Sequence, residues 1–124
     1  MSEKTSPLVL VVEDEPLLRM LARELLEEVG YDVLEAPDGA SALSLLERHA
    51  QVDLVFTDVH MPGALDGMAL ARKVNARWPN MHLLVTSGRE RPCASSVPDN
   101  GKFMEKPYSP DDLLRHVREL TQPH

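Results

Sequence analysis

Two kinds of hydrophobic pattern alternate along the chain. Leu8-Val9-Leu10-Val11-Val12 is a short, unbroken run rich in β-branched residues, the pattern of a strand covered on both faces. From Glu15-Pro16 onward, Leu18, Leu21, Ala22, Leu25, Leu26 and Val29 recur at steps of three and four. That spacing predicts an amphipathic helix, with Pro16 in its first turn and Gly30 as its stop. Tyr31-Asp32-Val33-Leu34-Glu35 alternates as a second strand, Ala40, Leu43, Leu45 and Leu46 mark a second helix, and Asp53-Leu54-Val55-Phe56-Thr57 reads as a third, buried strand. A third helix is predicted from Met68 to Trp78, ended by Pro79, and a fourth strand over His82-Leu83-Leu84-Val85-Thr86. Lys102-Phe103-Met104 supplies a short last strand, and Asp111 to Leu120 a last helix. Strands alternating with helices imply right-handed crossovers and a parallel sheet covered on both faces, a doubly wound α/β fold.

One stretch breaks the alternation. Between Gly88 and Gly101 the chain reads Arg-Glu-Arg-Pro-Cys-Ala-Ser-Ser-Val-Pro-Asp-Asn, with two prolines, several turn formers and no sustained apolar stripe. A long loop or a single distorted turn is expected there in place of a regular helix.

Length fits this picture, since 124 residues suffice for one core but not for two of independent stability. A single domain over 1–124 is expected, with its core at about 7–121. No apolar run approaches the roughly 20 residues of a membrane-spanning helix, and the leader Met-Ser-Glu-Lys-Thr-Ser-Pro has no apolar core behind its charges. A cytoplasmic location and no membrane association are therefore expected. Cys93 is the only cysteine, so neither an internal disulfide nor a zinc cluster applies. The net charge of −7 argues against direct nucleic-acid binding, which needs clustered Lys and Arg, and favours a protein or a small cation as partner.

Ligands gather at the carboxyl edge of an open parallel sheet. Glu13 and Asp14 follow strand one directly, and Asp58 ends strand three, so three carboxyl groups converge there. Convergent carboxylates repel, and a hard cation with oxygen ligands and water, Mg²⁺ above all, resolves the repulsion. Glu13 and Asp14 admit a plainer reading as helix N-terminal acids. Asp58, delivered by an apolar strand into a His-Met-Pro-Gly turn, does not. Strand four ends in Thr86-Ser87-Gly88 and strand five in Glu105-Lys106-Pro107, adding a hydroxyl and an ammonium to the same edge. Singly, Ser87 reads as a turn residue and Lys106 as a solvated charge. Together with the acids they form a site for a phosphoryl group, with Asp58 as nucleophile.

Five motifs in this order and on these strand ends give the chain a resemblance, over Leu8 to Leu120, to bacterial response-regulator receiver domains of two-component signalling. They are Val11-Val12-Glu13-Asp14-Glu15, Thr57-Asp58-Val59-His60-Met61-Pro62, Asp66-Gly67, Thr86-Ser87-Gly88 and Phe103-Met104-Glu105-Lys106-Pro107-Tyr108. The resemblance implies a five-stranded flavodoxin-like sheet in the order 2-1-3-4-5. It implies a regulator rather than an enzyme, with Asp58 accepting a phosphoryl group from a sensor histidine kinase or a histidine phosphotransferase. Asp14 and Asp58 would ligate Mg²⁺, Glu13 would act largely through water, and His60 would lend its backbone carbonyl. Lys106 would pair with the phosphate, Ser87 would swing to hydrogen-bond it, and Phe103 holds the family's aromatic switch position. Moving Ser87 vacates space that the Phe103 ring can fill, which turns a local charge event into a changed face for a downstream protein target.

The chain departs from the family pattern in places. The loop Pro62-Gly63-Ala64-Leu65-Asp66-Gly67 is one residue longer than the commonest form, Ser87 replaces the more usual Thr, and the crossover before strand five is eroded. The last departure leaves the oligomeric state open between a monomer and a weak dimer. His60 either tunes hydrolysis of the aspartyl phosphate or is a solvated loop residue. With the chain ending at Thr-Gln-Pro-His, a single-domain regulator or phosphorelay shuttle is expected. A phosphohydrolase with an aspartyl nucleophile would carry a second acid where this chain has His60, and a scaffold that is never phosphorylated would have lost the acids or Lys106.

Overall fold

The computed structural model describes residues 6–59, 65–87 and 101–121. Five strands, β1 (Leu8–Val12), β2 (Asp32–Ala36), β3 (Leu54–Asp58), β4 (His82–Ser87) and β5 (Gly101–Glu105), form one sheet in the order β2-β1-β3-β4-β5. All four neighbouring pairs are parallel. The described helices are α1 (Pro16–Glu28), α2 (Gly39–Arg48), α3 (Gly67–Arg77) and α4 (Pro110–Thr121). The doubly wound class and the strand order expected from the sequence are thus found. The boundaries lie close to the predicted ones: β2 begins at Asp32 rather than Tyr31, and β3 begins at Leu54 rather than Asp53 and ends, as expected, at Asp58. Positions 88–100, where a loop or distorted turn is expected, lie outside the described residues, and Gly101 belongs to β5.

Side chains alternate across the sheet because successive strand residues point to opposite faces. On one face Leu10, Val12, Val55, Leu83 and Val85 pack against Ala42 and Leu46 of α2 and Leu70, Ala71 and Val74 of α3. On the other, Val9, Val11, Leu54, Phe56, Leu84 and Met104 pack against Ala22 and Leu26 of α1 and Leu113 and Val117 of α4. With both faces covered, β3 is buried along its whole length and reads as an apolar run without alternation.

Helix ends follow local chemistry. Pro16 opens α1, Asp38 caps α2 by accepting from the Ser41 amide at 2.7 Å, and Asp66 caps α3 by accepting from the Ala69 amide at 2.9 Å. After α1, Gly30 takes a φ of +102°, which side chains adopt rarely, and releases the chain into β2.

Candidate functional site at the carboxyl edge

β1, β3, β4 and β5 all end at one edge, and parallel register decides what meets there. Val12 lies beside Thr57, Asp58 beside Thr86, and Ser87 beside Glu105, so the residues following β1 and β5 flank the end of β3. Asp58 is 8% exposed, an acid nearly enclosed at the end of an apolar strand. Its Oδ2 accepts from the Lys106 Nζ at 2.6 Å, and the same Nζ stands 4.0 Å from Glu13 Oε1. Lys106 is held by its own backbone as well, since its amide donates to the Ser87 carbonyl at 3.0 Å. The Lys106–Pro107 peptide is cis.

Charge is concentrated here at low hydration. Burial pushes the Glu13 carboxyl up to about 7; the Glu15 amide and Lys106 oppose that rise, while Asp14 and Asp58 add to it. Burial disfavours the Lys106 ammonium, yet its hydrogen bond to Asp58 and the charges of Asp58 and Glu13 outweigh burial and hold it above the usual lysine range. Glu13 Oε2 also accepts from the Glu15 amide at 3.2 Å. That contact precedes α1, whose N-cap residue Glu15 makes no side-chain capping hydrogen bond among the described residues, while Asp14 stands exposed at the mouth of the site.

The two hydroxyls at the end of β4 point to opposite layers. Ser87 shares its face with Val85 and half-buried Phe103, which pack with the α2–α3 layer, whereas Thr86 shares its face with Leu84 on the α1–α4 side. The predicted pair of Ser87 and Phe103 is thus brought to one face. Gly67 gives the Asp66-Gly67 motif a physical reason: a Cβ there would overlap the Asp58 carbonyl, so only glycine lets α3 begin against the end of β3. Its amide donates to the Val59 carbonyl at 2.9 Å.

Asp58, Lys106 and Glu13 come together, with Asp14 next to them, and Ser87 ends the adjacent strand. His60, named for its backbone carbonyl, lies outside the described residues. Among the described residues no three His, Cys, Asp or Glu side chains form a ready-made metal cage, and Asp58 turns toward Lys106 instead. The donor set nonetheless fits Mg²⁺, which keeps several waters and takes one or two protein carboxylates.

Residue-by-residue reading of the sequence missed Arg19 and Glu35. Arg19 donates through Nη1 to the Glu13 backbone carbonyl at 2.8 Å and through Nε to Glu35 Oε1 at 3.2 Å. The contact depends on β2 lying beside β1, where Val11 meets Glu35, and no local motif announces it.

Beside this edge an open groove of about 620 Å³ runs between α1 and the start of α4, lined by Glu13, Leu18, Leu21, Lys106 and Tyr108 among others. Leu18 and Leu21 of α1 are exposed in it.

Comparison with known proteins places this geometry. Residues 9–118 match the family model described as the response regulator receiver domain. The chain is 36% identical over 121 residues to the sensor kinase CckA of Brucella abortus, covering 94% of this chain and 13% of that protein. It is 37% identical over 123 residues to the transcriptional regulatory protein PdtaR of Mycobacterium tuberculosis, covering 91% of this chain and 59% of that protein. It therefore spans less than two thirds of each of these relatives. Among solved structures it is similar to a response regulator receiver protein from Sinorhizobium medicae, with a TM-score of 0.87, 28% identity and 94% of each chain covered. It is also similar to the receiver domain of the hybrid histidine kinase CckA, with a TM-score of 0.80, 34% identity, and 93% of this chain and 99% of that one covered.

Proposed function

Because the chain belongs to the response regulator receiver domain family, we propose that it is a switch set by a phosphoryl group on Asp58, received in a Mg²⁺-dependent step from a phosphohistidine. The observation that carries the reading is the 2.6 Å contact between Lys106 Nζ and Asp58 Oδ2 at the carboxyl edge, with Glu13 4.0 Å from the same ammonium. Glu13, Asp14, Asp58 and the His60 backbone carbonyl would hold Mg²⁺, which would supply charge neutralisation for the phosphoryl oxygens.

The residues of the chain do the rest. An Asp58 carboxylate oxygen attacks phosphorus, the P–N bond to the donor histidine breaks, and the bonding pair stays on the imidazole. Lys106, already charged and directed at Asp58, compensates the charge gathering on the phosphoryl oxygens. The enclosure of Asp58 strengthens that interaction and limits competing water. The new group brings oxygen acceptors that the carboxylate lacked, and Ser87, buried at the end of the neighbouring strand, turns toward them. The Phe103 ring, on the same face as Ser87, then moves inward, and the surface around β5 and α4 changes for a downstream protein. The histidine donor belongs to a kinase or phosphotransferase helix whose apolar side lies in the groove of Leu18, Leu21 and Tyr108, which opens directly onto Glu13 and Lys106. No helix among the described residues is long and apolar enough to cross a membrane.

Intact-mass measurement after incubation with acetyl phosphate tests the proposal. The expected result is a gain of one phosphoryl group that requires Mg²⁺ and is absent in Asp58→Asn. A gain that persists in Asp58→Asn, or that ignores Mg²⁺, would overturn it.

A further inference from the structure

The carboxylates of the site are only as well placed as the turn that carries them, and that turn is tied down from the side. β1 ends at Val12, and the Glu13 amide donates to the Ala36 carbonyl of β2 at 3.1 Å. The Glu13 carbonyl, which the parallel ladder would otherwise leave at the end of the strand, accepts from Arg19 Nη1 at 2.8 Å. The guanidinium does not act alone. Its Nε is held by Glu35 Oε1 at 3.2 Å, and Glu35 Oε2 is in turn bound by Arg23 Nη1 at 2.7 Å. Arg19 and Glu35 are largely covered, with side-chain exposures of 19% and 29%.

A peptide unit is planar, so the Glu13 carbonyl and the Asp14 amide move as one body. Fixing that oxygen fixes the direction in which the chain enters Asp14, and with it the angle at which the Glu13 and Asp14 carboxyl groups face Asp58. Arg19 adds little net charge at that point because Glu35 neutralises it. What it contributes is a two-pronged donor, one nitrogen on the sheet and one on the turn, a geometry that a lysine cannot reproduce.

Resting on the receiver reading above, we infer that Arg19, braced by Glu35, is a positioning residue that sets the Mg²⁺ affinity of the carboxyl edge by holding the Glu13–Asp14 peptide. An ordinary surface ion pair, joining α1 to β2 and nothing more, would leave metal binding untouched.

The test is calorimetric titration of the full chain with Mg²⁺, beside urea denaturation of each variant without the metal. Calorimetry is the suitable readout because Trp78 follows α3 at the opposite edge of the sheet. Arg19→Ala is expected to weaken Mg²⁺ binding about 10-fold, the usual scale for residues that orient metal ligands. Arg19→Lys should recover little of this loss, whereas Arg23→Ala, which removes the other cation from Glu35 but leaves the Glu13 carbonyl contact, should stay within about twofold of wild type. Should Arg19→Ala unfold, Arg19→Lys and Arg19→Gln carry the comparison. Unchanged affinity in the Arg19 variants, full rescue by lysine, or an equal loss in Arg23→Ala would overturn the inference while leaving the receiver reading intact. A wild-type chain that takes up no Mg²⁺ would instead overturn the receiver reading, and this inference with it.

Discussion

β3 carries an acid at each end, and the two live in different worlds. Asp53, just before the strand, sits at the amino edge, where its Oδ2 accepts from the Leu8 amide at 2.8 Å. Its backbone joins three strands there, with its amide donating to the Leu8 carbonyl at 2.8 Å and its carbonyl accepting from the His82 amide at 3.0 Å. Asp58, five residues on, meets the Lys106 ammonium, which also stands near a second acid, Glu13. At the amino edge the amides that open β2 and β4 are met by the Pro7 and Asp53 carbonyls, and the amide that opens β1 is met by the Asp53 carboxylate, which completes the ladder. At the carboxyl edge strands end in loops that gather side chains, and a carboxylate there is left for chemistry. The same residue type on the same strand thus meets a backbone amide at one end and an ammonium at the other, and the proposal makes the second of them the reactive one.

The sharpest way to break this comparison is to neutralise each acid in turn. Asp58→Asn should abolish phosphorylation by acetyl phosphate, whereas Asp53→Ala should keep it and cost about 1–2 kcal/mol of stability by leaving the Leu8 amide unpaired, read from urea denaturation. Removing the cation comes next. Lys106→Met is expected to slow phosphorylation about 100-fold, the scale for loss of one donor aimed at developing charge, as followed by intact mass over time.

A smaller effect separates the neighbours at the end of β4. Thr86 is buried beside Asp58 in the sheet, yet its Oγ1 finds no hydrogen-bond partner among the described residues. Thr86→Val should therefore raise stability by about 1 kcal/mol and leave the phosphorylation rate unchanged, while Ser87→Ala should slow the coupling between phosphorylation and the Phe103 face. Smallest is a pH effect remote from the acids. Burial, with help from the charges of Arg115 and Lys102, holds the His116 imidazole below the usual histidine range. The unfolded chain then binds the extra proton more readily, so stability should fall as pH drops below about 6.5 toward that depressed value, and His116→Gln should flatten the decline. Urea midpoints measured across that interval check the sign.

Much of this organisation is legible in the sequence because the signals are local. Leu8–Val12 and Leu54–Phe56 are apolar runs that only a doubly covered strand explains, and Asp58 follows one of them at the point where the fold gathers ligands. Lys106 and Ser87 are legible for the same reason, as side chains at strand ends. That Asp58 closes β3 is legible too, but its burial is less so, because the burial comes from the surrounding elements rather than from its own polarity. Gly67 appears in the sequence as half of a motif and acquires its reason when its missing Cβ is seen to make room for the Asp58 carbonyl. Arg19 carries no local signal. Its role depends on β2 and β1 lying side by side, a contact between residues 16 positions apart.

The most direct test of the central claim is to phosphorylate the wild-type chain with acetyl phosphate and Mg²⁺, reduce the acyl phosphate with borohydride, and map the resulting homoserine by peptide sequencing in the mass spectrometer. The account predicts homoserine at position 58 alone. Homoserine at position 53, or a label spread over the acids of the β1–α1 turn, would contradict it.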